Sequence, residues 1–364
     1  MTGAKKMCTF GTFVKTAVTG LFALAAPSSA IGDSLEDSLQ TAFDAGQLPG
    51  LHSVLVLYED ALVGEAYFPG EDERWGTPLG QVDHGPDTLH DVRSVTKSIV
   101  GLLYGIALAD GLVPDLDTPL LDHFPDYADL KDGTDREAIT IRDTITLQLG
   151  TEWDESLPYT SLQNSEVAME YAEDRYRYVL ERPMVATPGK TWSYNGGAVA
   201  LLGKLIADGA GKPLDIYAKE VLFDPLGIQT FEWVAGSDGV PSAASGLRLT
   251  AHGLARVGQM IADDGMYQGQ QVVPSDWLDA SFTAAVEIQE GFHYGFLWYL
   301  TEAPGGDRVA IAVGNGGQRL TVQPKVGFVA TTFTGRYNDP DAWKLPIDVL
   351  VNHAIPAVSA RANP

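Results

Sequence analysis

The chain has 364 residues, 45 % hydrophobic and 20 % charged. That is enough apolar material for a sizeable core, and it excludes disorder, collagen and coiled coil as descriptions of the whole. Asp and Glu number 48 against 24 Lys and Arg, a formal net charge of −24, so phosphate backbones and anionic lipid are repelled and no nucleic-acid partner is expected. The single cysteine, Cys8, excludes an internal disulfide framework and a Cys-rich zinc site.

Residues 1–30 read as a cleaved signal peptide. Lys5 and Lys6 precede an apolar stretch that is densest over 17–26, and Ser28 and Ala30 suit the −3 and −1 positions of a cleavage site after Ala30. Lys15 interrupts the apolar run, so no stable membrane insertion is expected. Cys8 lies before the apolar core, not after it, which argues against a lipoprotein. The expected location is periplasmic or secreted.

Residues 33–46 carry Leu35, Leu39 and Phe43 at four-residue spacing, an amphipathic helix. Two β-prone runs, 52–58 and 62–68, meet at Glu59-Asp60 as a hairpin. Residues 70–86, rich in Gly, Pro and Asp, read as loop. From Ser94 to Leu112 the sequence is helical and apolar on nearly every face, hence deeply buried. Residues 115–235 read as mostly helical, and 251–263 as a further helix. Strands follow at 309–313, 319–323 and 328–333, with a turn at Pro324-Lys325-Val326-Gly327 and a closing helix over 342–353. Strands at both ends of a helical middle predict an α+β fold: an antiparallel sheet flanked by helices, built from about 34–93 and 240–358, with a mostly helical subdomain from about 94–239 inserted between them. The active site is expected between the two parts.

Three segments could carry chemistry. In Ser94-Val95-Thr96-Lys97 a helix start puts the Lys97 amine on the Ser94 face, three residues on. The helix N-terminus favours alkoxide character at Ser94, and burial disfavours the ammonium, so Lys97 is expected to act as the base of a Ser-Lys pair. Standing alone, the spacing is better read as an ordinary helix N-cap. In Thr191-Trp192-Ser193-Tyr194-Asn195-Gly196-Gly197, Tyr194 either points its phenol into a cleft to exchange a proton or packs as a capping side chain. In Gly314-Asn315-Gly316-Gly317-Gln318, at a strand end, exposed N–H groups could stabilise an oxyanion; a hairpin turn is the competing reading. The histidines at 52, 84, 90, 123, 252, 293 and 353 show no metal-ligand spacing, so no metal and no cofactor is expected. A structural hydrogen bond is the reading for His90. No Gly-x-Ser-x-Gly elbow, phosphate loop or dinucleotide fingerprint occurs. Trp153, Tyr159, Trp298 and Tyr299 could line a cleft or belong to core and rim.

Taken in order, these elements resemble the serine β-lactamase and penicillin-binding-protein superfamily on its class C β-lactamase and esterase side, and more closely its 6-aminohexanoate-dimer hydrolase-like branch. The resemblance is carried by His90-Asp91-Val92-Arg93-Ser94-Val95-Thr96-Lys97-Ser98, Gly150-Thr151-Glu152-Trp153-Asp154-Glu155, Ser245-Gly246-Leu247-Arg248-Leu249-Thr250, Gly295-Phe296-Leu297-Trp298 and Asn315-Gly316-Gly317-Gln318. It runs from about 34 to 358. It implies Ser94 as acylated nucleophile, Lys97 as its base partner and Tyr194 as proton shuttle. The N–H groups of Ser94 and Gln318 would form the oxyanion hole, with Gly317 and Asn315 beside the substrate. The implied substrate is a small-molecule ester or linear amide. Two departures matter. The family's Tyr-x-Asn is Tyr194-Asn195-Gly196 here, and its Lys-Thr-Gly is Asn315-Gly316-Gly317. The second removes the cation that grips a penicillin carboxylate, a contact of roughly 1.5–3 kcal/mol. The alternatives are a weak β-lactamase or D-amino-acid peptidase acting on cell-wall peptides, and a sensor that is acylated without turnover.

Overall fold

The computed structural model describes residues 34–362, so the expected signal peptide lies outside the described residues. Ser34 opens the first helix, Leu35–Asp44, by accepting the Asp37 N–H on its hydroxyl. Glu36 and Asp37 in the first turn suit the positive helix end. Leu35, Leu39 and Ala42 form its buried stripe.

The N-terminal hairpin pairs Leu51–Tyr58 with Ala61–Tyr67. Glu59 and Asp60 form its turn with φ of 48° and 62°, the left-handed conformation that a two-residue turn between twisted strands requires. An eight-stranded antiparallel sheet results. Val286–Gln289, Phe292–Tyr294, Tyr299–Glu302, Arg308–Gly314, Gln318–Gln323 and Phe328–Thr334 follow one another across it. Leu51–Tyr58 then pairs with Phe328–Thr334, joining the two ends of the chain in one sheet. Side chains alternate between two cores. Val54, Val56, Phe328 and Ala330 meet Leu35, Leu39, Leu345, Val349 and Val358 of the terminal helices. Leu55, Val329, Leu320 and Val322 meet Ile99, Leu201, Leu254 and Val257 on the opposite face. Burying each of the Val, Leu, Ile and Phe side chains contributes about 1.5–3 kcal/mol.

Three expectations are revised. Residues 70–86 contain a two-stranded hairpin, Gly70–Arg74 with Thr77–Val82. Its Gly, Pro and Asp content hid the strands, and Trp75 (φ 46°) and Gly76 (φ 87°) form its turn. Residues 115–235 are less helical than expected. Beside the long helix Gly196–Ala210 they hold short turns and helices such as Leu120–His123, Ile141–Ile145, Ser165–Glu170 and Arg175–Leu180. Prolines 114, 119, 125, 158, 183 and 188 interrupt helical hydrogen bonding there. The closing helix runs beyond 353, through Lys344–Val349 and a π-helical turn, Leu350–Ala354, into Ile355–Ala362.

The helix Val95–Ala109 is buried from Val95 to Ala107. It packs with Gly196–Ala210 beneath the sheet, so the starts of both helices converge near the strand end at Gly314.

Candidate active site

Ser94 stands at the N-cap of Val95–Ala109, yet its hydroxyl makes no capping bond. The hydroxyl instead receives a hydrogen bond from Lys97 Nζ at 3.0 Å. The residue before it, Arg93, has φ 50°, a strained conformation for a side chain of this size. Arg93 is held there by Glu73, by Asp91 at 3.2 Å and by the Tyr337 ring 4.7 Å from its guanidinium carbon.

Lys97 is buried, and its three protons are all placed: on Ser94, on Glu166 Oε2 at 2.9 Å and on the Ala244 carbonyl at 2.9 Å. Burial is the largest single influence and pulls its pKa down, but Glu166, Tyr194 and Glu155 together outweigh it, and the net shift is upward. The expectation that burial alone makes Lys97 a free amine is therefore corrected: in the resting protein it is an ammonium paired with Glu166. Glu166 also accepts from Ser245 Oγ at 2.7 Å.

Tyr194 reaches the same place. Its hydroxyl is hydrogen-bonded to Ser94, and Lys97 Nζ lies 5.0 Å from its ring centroid. Burial raises the phenol's pKa, Lys97 lowers it, and the net shift is upward; Tyr194 rests as a neutral phenol. The two residues after it each have a task. Asn195 caps Gly196–Ala210 by accepting the Ala198 N–H at 3.0 Å. Gly196 donates its N–H to Glu155 Oε1 at 2.6 Å, and a Cβ on it would stand 2.3 Å from Glu166 Oε2. The departure from Tyr-x-Asn thus lets two carboxylates crowd the helix start.

Glu155 has no role in the sequence reading. Trp153 Nε1 at 2.6 Å and the Tyr159 hydroxyl at 2.7 Å donate to it as well. Burial, then the Glu166 charge, raise its pKa to about 7 against the pull of Lys97. No local spacing announces Glu155 or Glu166, because both reach Lys97 from 58 and more residues away in the chain. Tyr294 and Tyr299 meet edge-to-face 5.0 Å apart, and Trp192 lies 5.4 Å from Tyr294 and 6.3 Å from Tyr194. An aromatic cluster therefore stands beside Tyr194. Trp298 is fully buried against Phe282 and is core.

The Gly-rich segment is a turn between Arg308–Gly314 and Gln318–Gln323. A Cβ on Gly314 would stand 2.3 Å from the Val92 carbonyl and 3.0 Å from Gln318 Cβ, so the strand end abuts the loop that leads to Ser94. The Gln318 side chain is tied back by the Thr334 carbonyl at 2.7 Å and the Thr334 N–H at 3.0 Å. Ser94 N–H lies at a helix start, where no intrahelical acceptor exists. Two residues serve the loop itself. Asn315 Oδ1 accepts the Asn338 N–H at 3.0 Å. The space beside Gly317 (φ 97°) is filled by Thr334 and the Ala342 carbonyl.

The family model for beta-lactamases matches residues 35–349. The chain belongs to the beta-lactamase family of serine hydrolases. Within the family, it is 22 % identical over 277 residues to the 6-aminohexanoate-dimer hydrolase of Paenarthrobacter ureafaciens, covering 70 % of this chain and 68 % of that protein. A protein from Bacillus anthracis assigned as a 6-aminohexanoate-dimer hydrolase superposes with a TM-score of 0.72 at 19 % identity, covering 91 % of this chain and 87 % of that one. EstCE1, a hydrolase with promiscuous acyltransferase activity, gives 0.69 at 15 % identity, covering 87 % and 97 %. These structures share the beta-lactamase fold with the chain.

A second cluster lies away from the site. His52, His84 and His90, together with Asp72, converge although their spacing is irregular. Burial lowers the pKa of His52 to about 3 and that of His90 to about 4, so both imidazoles are neutral near pH 7. His90 does make the expected structural hydrogen bond, from Nδ1 to the Asp91 carbonyl at 3.0 Å.

Proposed function

We propose that the chain hydrolyses a small-molecule ester or linear amide through an acyl-enzyme on Ser94. The observation that carries this reading is the convergence of Lys97 Nζ, 3.0 Å away, and the Tyr194 hydroxyl on one serine oxygen. Ser94 Oγ attacks the carbonyl carbon, and the new C–O bond leaves negative charge on the carbonyl oxygen. The N–H groups of Ser94 and Gln318 bind that oxygen. The Lys97 ammonium stabilises the serine oxygen as its proton leaves. Tyr194 takes that proton on its oxygen while giving its own to the leaving oxygen or nitrogen, and the bond to the leaving group breaks. Water then enters, passes a proton through Tyr194 to Ser94, and releases the acid. Asn315 offers no cation for a penicillin carboxylate, which favours esters and linear amides over β-lactams.

Initial-rate hydrolysis of p-nitrophenyl butyrate tests the reading. Ser94→Ala lowers kcat by about 10³-fold or more, and Tyr194→Phe lowers kcat far more than it changes KM. A Ser94→Ala rate within about tenfold of wild type would sink the mechanism. One equivalent of nitrophenol without turnover would make the chain an acylated sensor.

A further inference from the structure

We propose that His52, His84, His90 and Asp72 form a structural site for one divalent transition-metal ion, with zinc the best fit. The inference does not rest on the catalytic reading, because none of the four residues touches Ser94.

The donors are in place. One ligand atom from each of the four residues lies within 4.8 Å of all the others. His52 Nδ1 is 2.9 Å from His90 Nε2, His90 Nε2 is 3.5 Å from Asp72 Oδ1, and His84 Nε2 is 3.5 Å from Asp72 Oδ2. A tetrahedral ion bound at about 2.0–2.1 Å would set its donors roughly 3.3 Å apart. Three imidazoles and one carboxylate suit zinc, whereas calcium and magnesium require mostly oxygen donors.

Proton placement makes the case sharper. His84 Nδ1 faces the Phe68 carbonyl at 2.9 Å and His90 Nδ1 faces the Asp91 carbonyl at 3.0 Å. Carbonyls only accept, so both Nδ1 atoms carry hydrogen, and the ring nitrogens turned toward Asp72 are the two Nε2 atoms. This is the outer hydrogen bonding that orients imidazole ligands. Three ring nitrogens and one carboxylate thus converge in one largely buried hole, a donor set that a single cation would complete. Asp72 is steadied by the Tyr337 hydroxyl at 2.9 Å.

The position suggests what the ion would do. Four protein donors close its coordination, the pattern of a structural site. They come from the strand Leu51–Tyr58, the hairpin strand Gly70–Arg74, the segment that follows, and the short strand His90–Asp91, which leads to Ser94. The ion would pin these four segments beneath the nucleophile loop, with Phe333 stacked on His90 at 4.8 Å.

The test uses the purified full chain, stripped with a chelator and then titrated with Zn²⁺ and, separately, Co²⁺. The expected result is uptake of one equivalent, a rise in Tm with zinc, and the visible bands of tetrahedral cobalt. Asp72→Asn and His84→Gln should weaken uptake by about tenfold or more, while Ser94→Ala takes up metal in full. If either variant fails to fold, the wild-type titration still decides. No uptake of zinc or cobalt by the stripped wild-type chain at micromolar metal, with Tm unchanged, would overturn the proposal.

Discussion

At the scale of single residues, the candidate site is a matter of which charge stands beside which. The Ser94–Lys97 pair is legible because it is local: three residues on a helix fix the distance whatever surrounds them. What the neighbours do to Lys97 is not legible. Glu166 comes from 69 residues further along and, with Tyr194 and Glu155, turns an expected free amine into a resting ammonium. Glu155 yields a measurable consequence. Its carboxyl ionises near 7 in the folded chain and near 4.5 when exposed. The folded state therefore holds the proton longer, and the stability this group contributes is lost as pH rises from about 4.5 to about 7. Glu155→Gln removes that loss. Urea unfolding at pH 5 and pH 8 should show wild type losing on the order of 2 kcal/mol relative to the variant across that interval. Parallel pH profiles for the two proteins would contradict the assignment.

Between elements, glycine decides how closely the two halves of the site approach. Gly314 lets the strand Arg308–Gly314 touch the Val92 carbonyl, which brings the strand end beside the loop that leads to Ser94. In Gly314→Ala the new methyl stands 2.3 Å from that carbonyl oxygen, a backbone atom that yields only if the whole loop moves. The expected cost is about 1–3 kcal/mol of stability, with kcat/KM for the ester lowered by about tenfold or more as the proposed oxyanion donors separate. Circular dichroism near that of wild type would show that the fold survives, and an unchanged kcat/KM would remove the strand end from the site. The helices Leu35–Asp44, Val95–Ala109 and Ala251–Ala262 and the strands from 308 to 334 are readable in the sequence, because apolar spacing and turn residues agree. The hairpin Gly70–Arg74 with Thr77–Val82 is not, because its strands are polar, edge-like and carry Pro78. The histidine cluster draws on four separate segments, so no spacing rule finds it.

Across the whole molecule, the first and last strands share one sheet, and the helical middle packs on one of its faces. The topology thus brings residues 94, 166, 194 and 318 to one place, although no two of these positions are closer than 28 in sequence. Their order along the chain made the family legible, while the carboxylates between them were out of its reach. The central claim is that Ser94 carries the acyl group. Wild-type protein quenched in acid during turnover of p-nitrophenyl butyrate, followed by digestion and peptide mass spectrometry, tests it most directly. The account predicts one butyryl group on the peptide containing Ser94, and none on that peptide in Ser94→Ala. A butyryl group on another residue in catalytically competent protein, or none under conditions where the ester turns over, would contradict it.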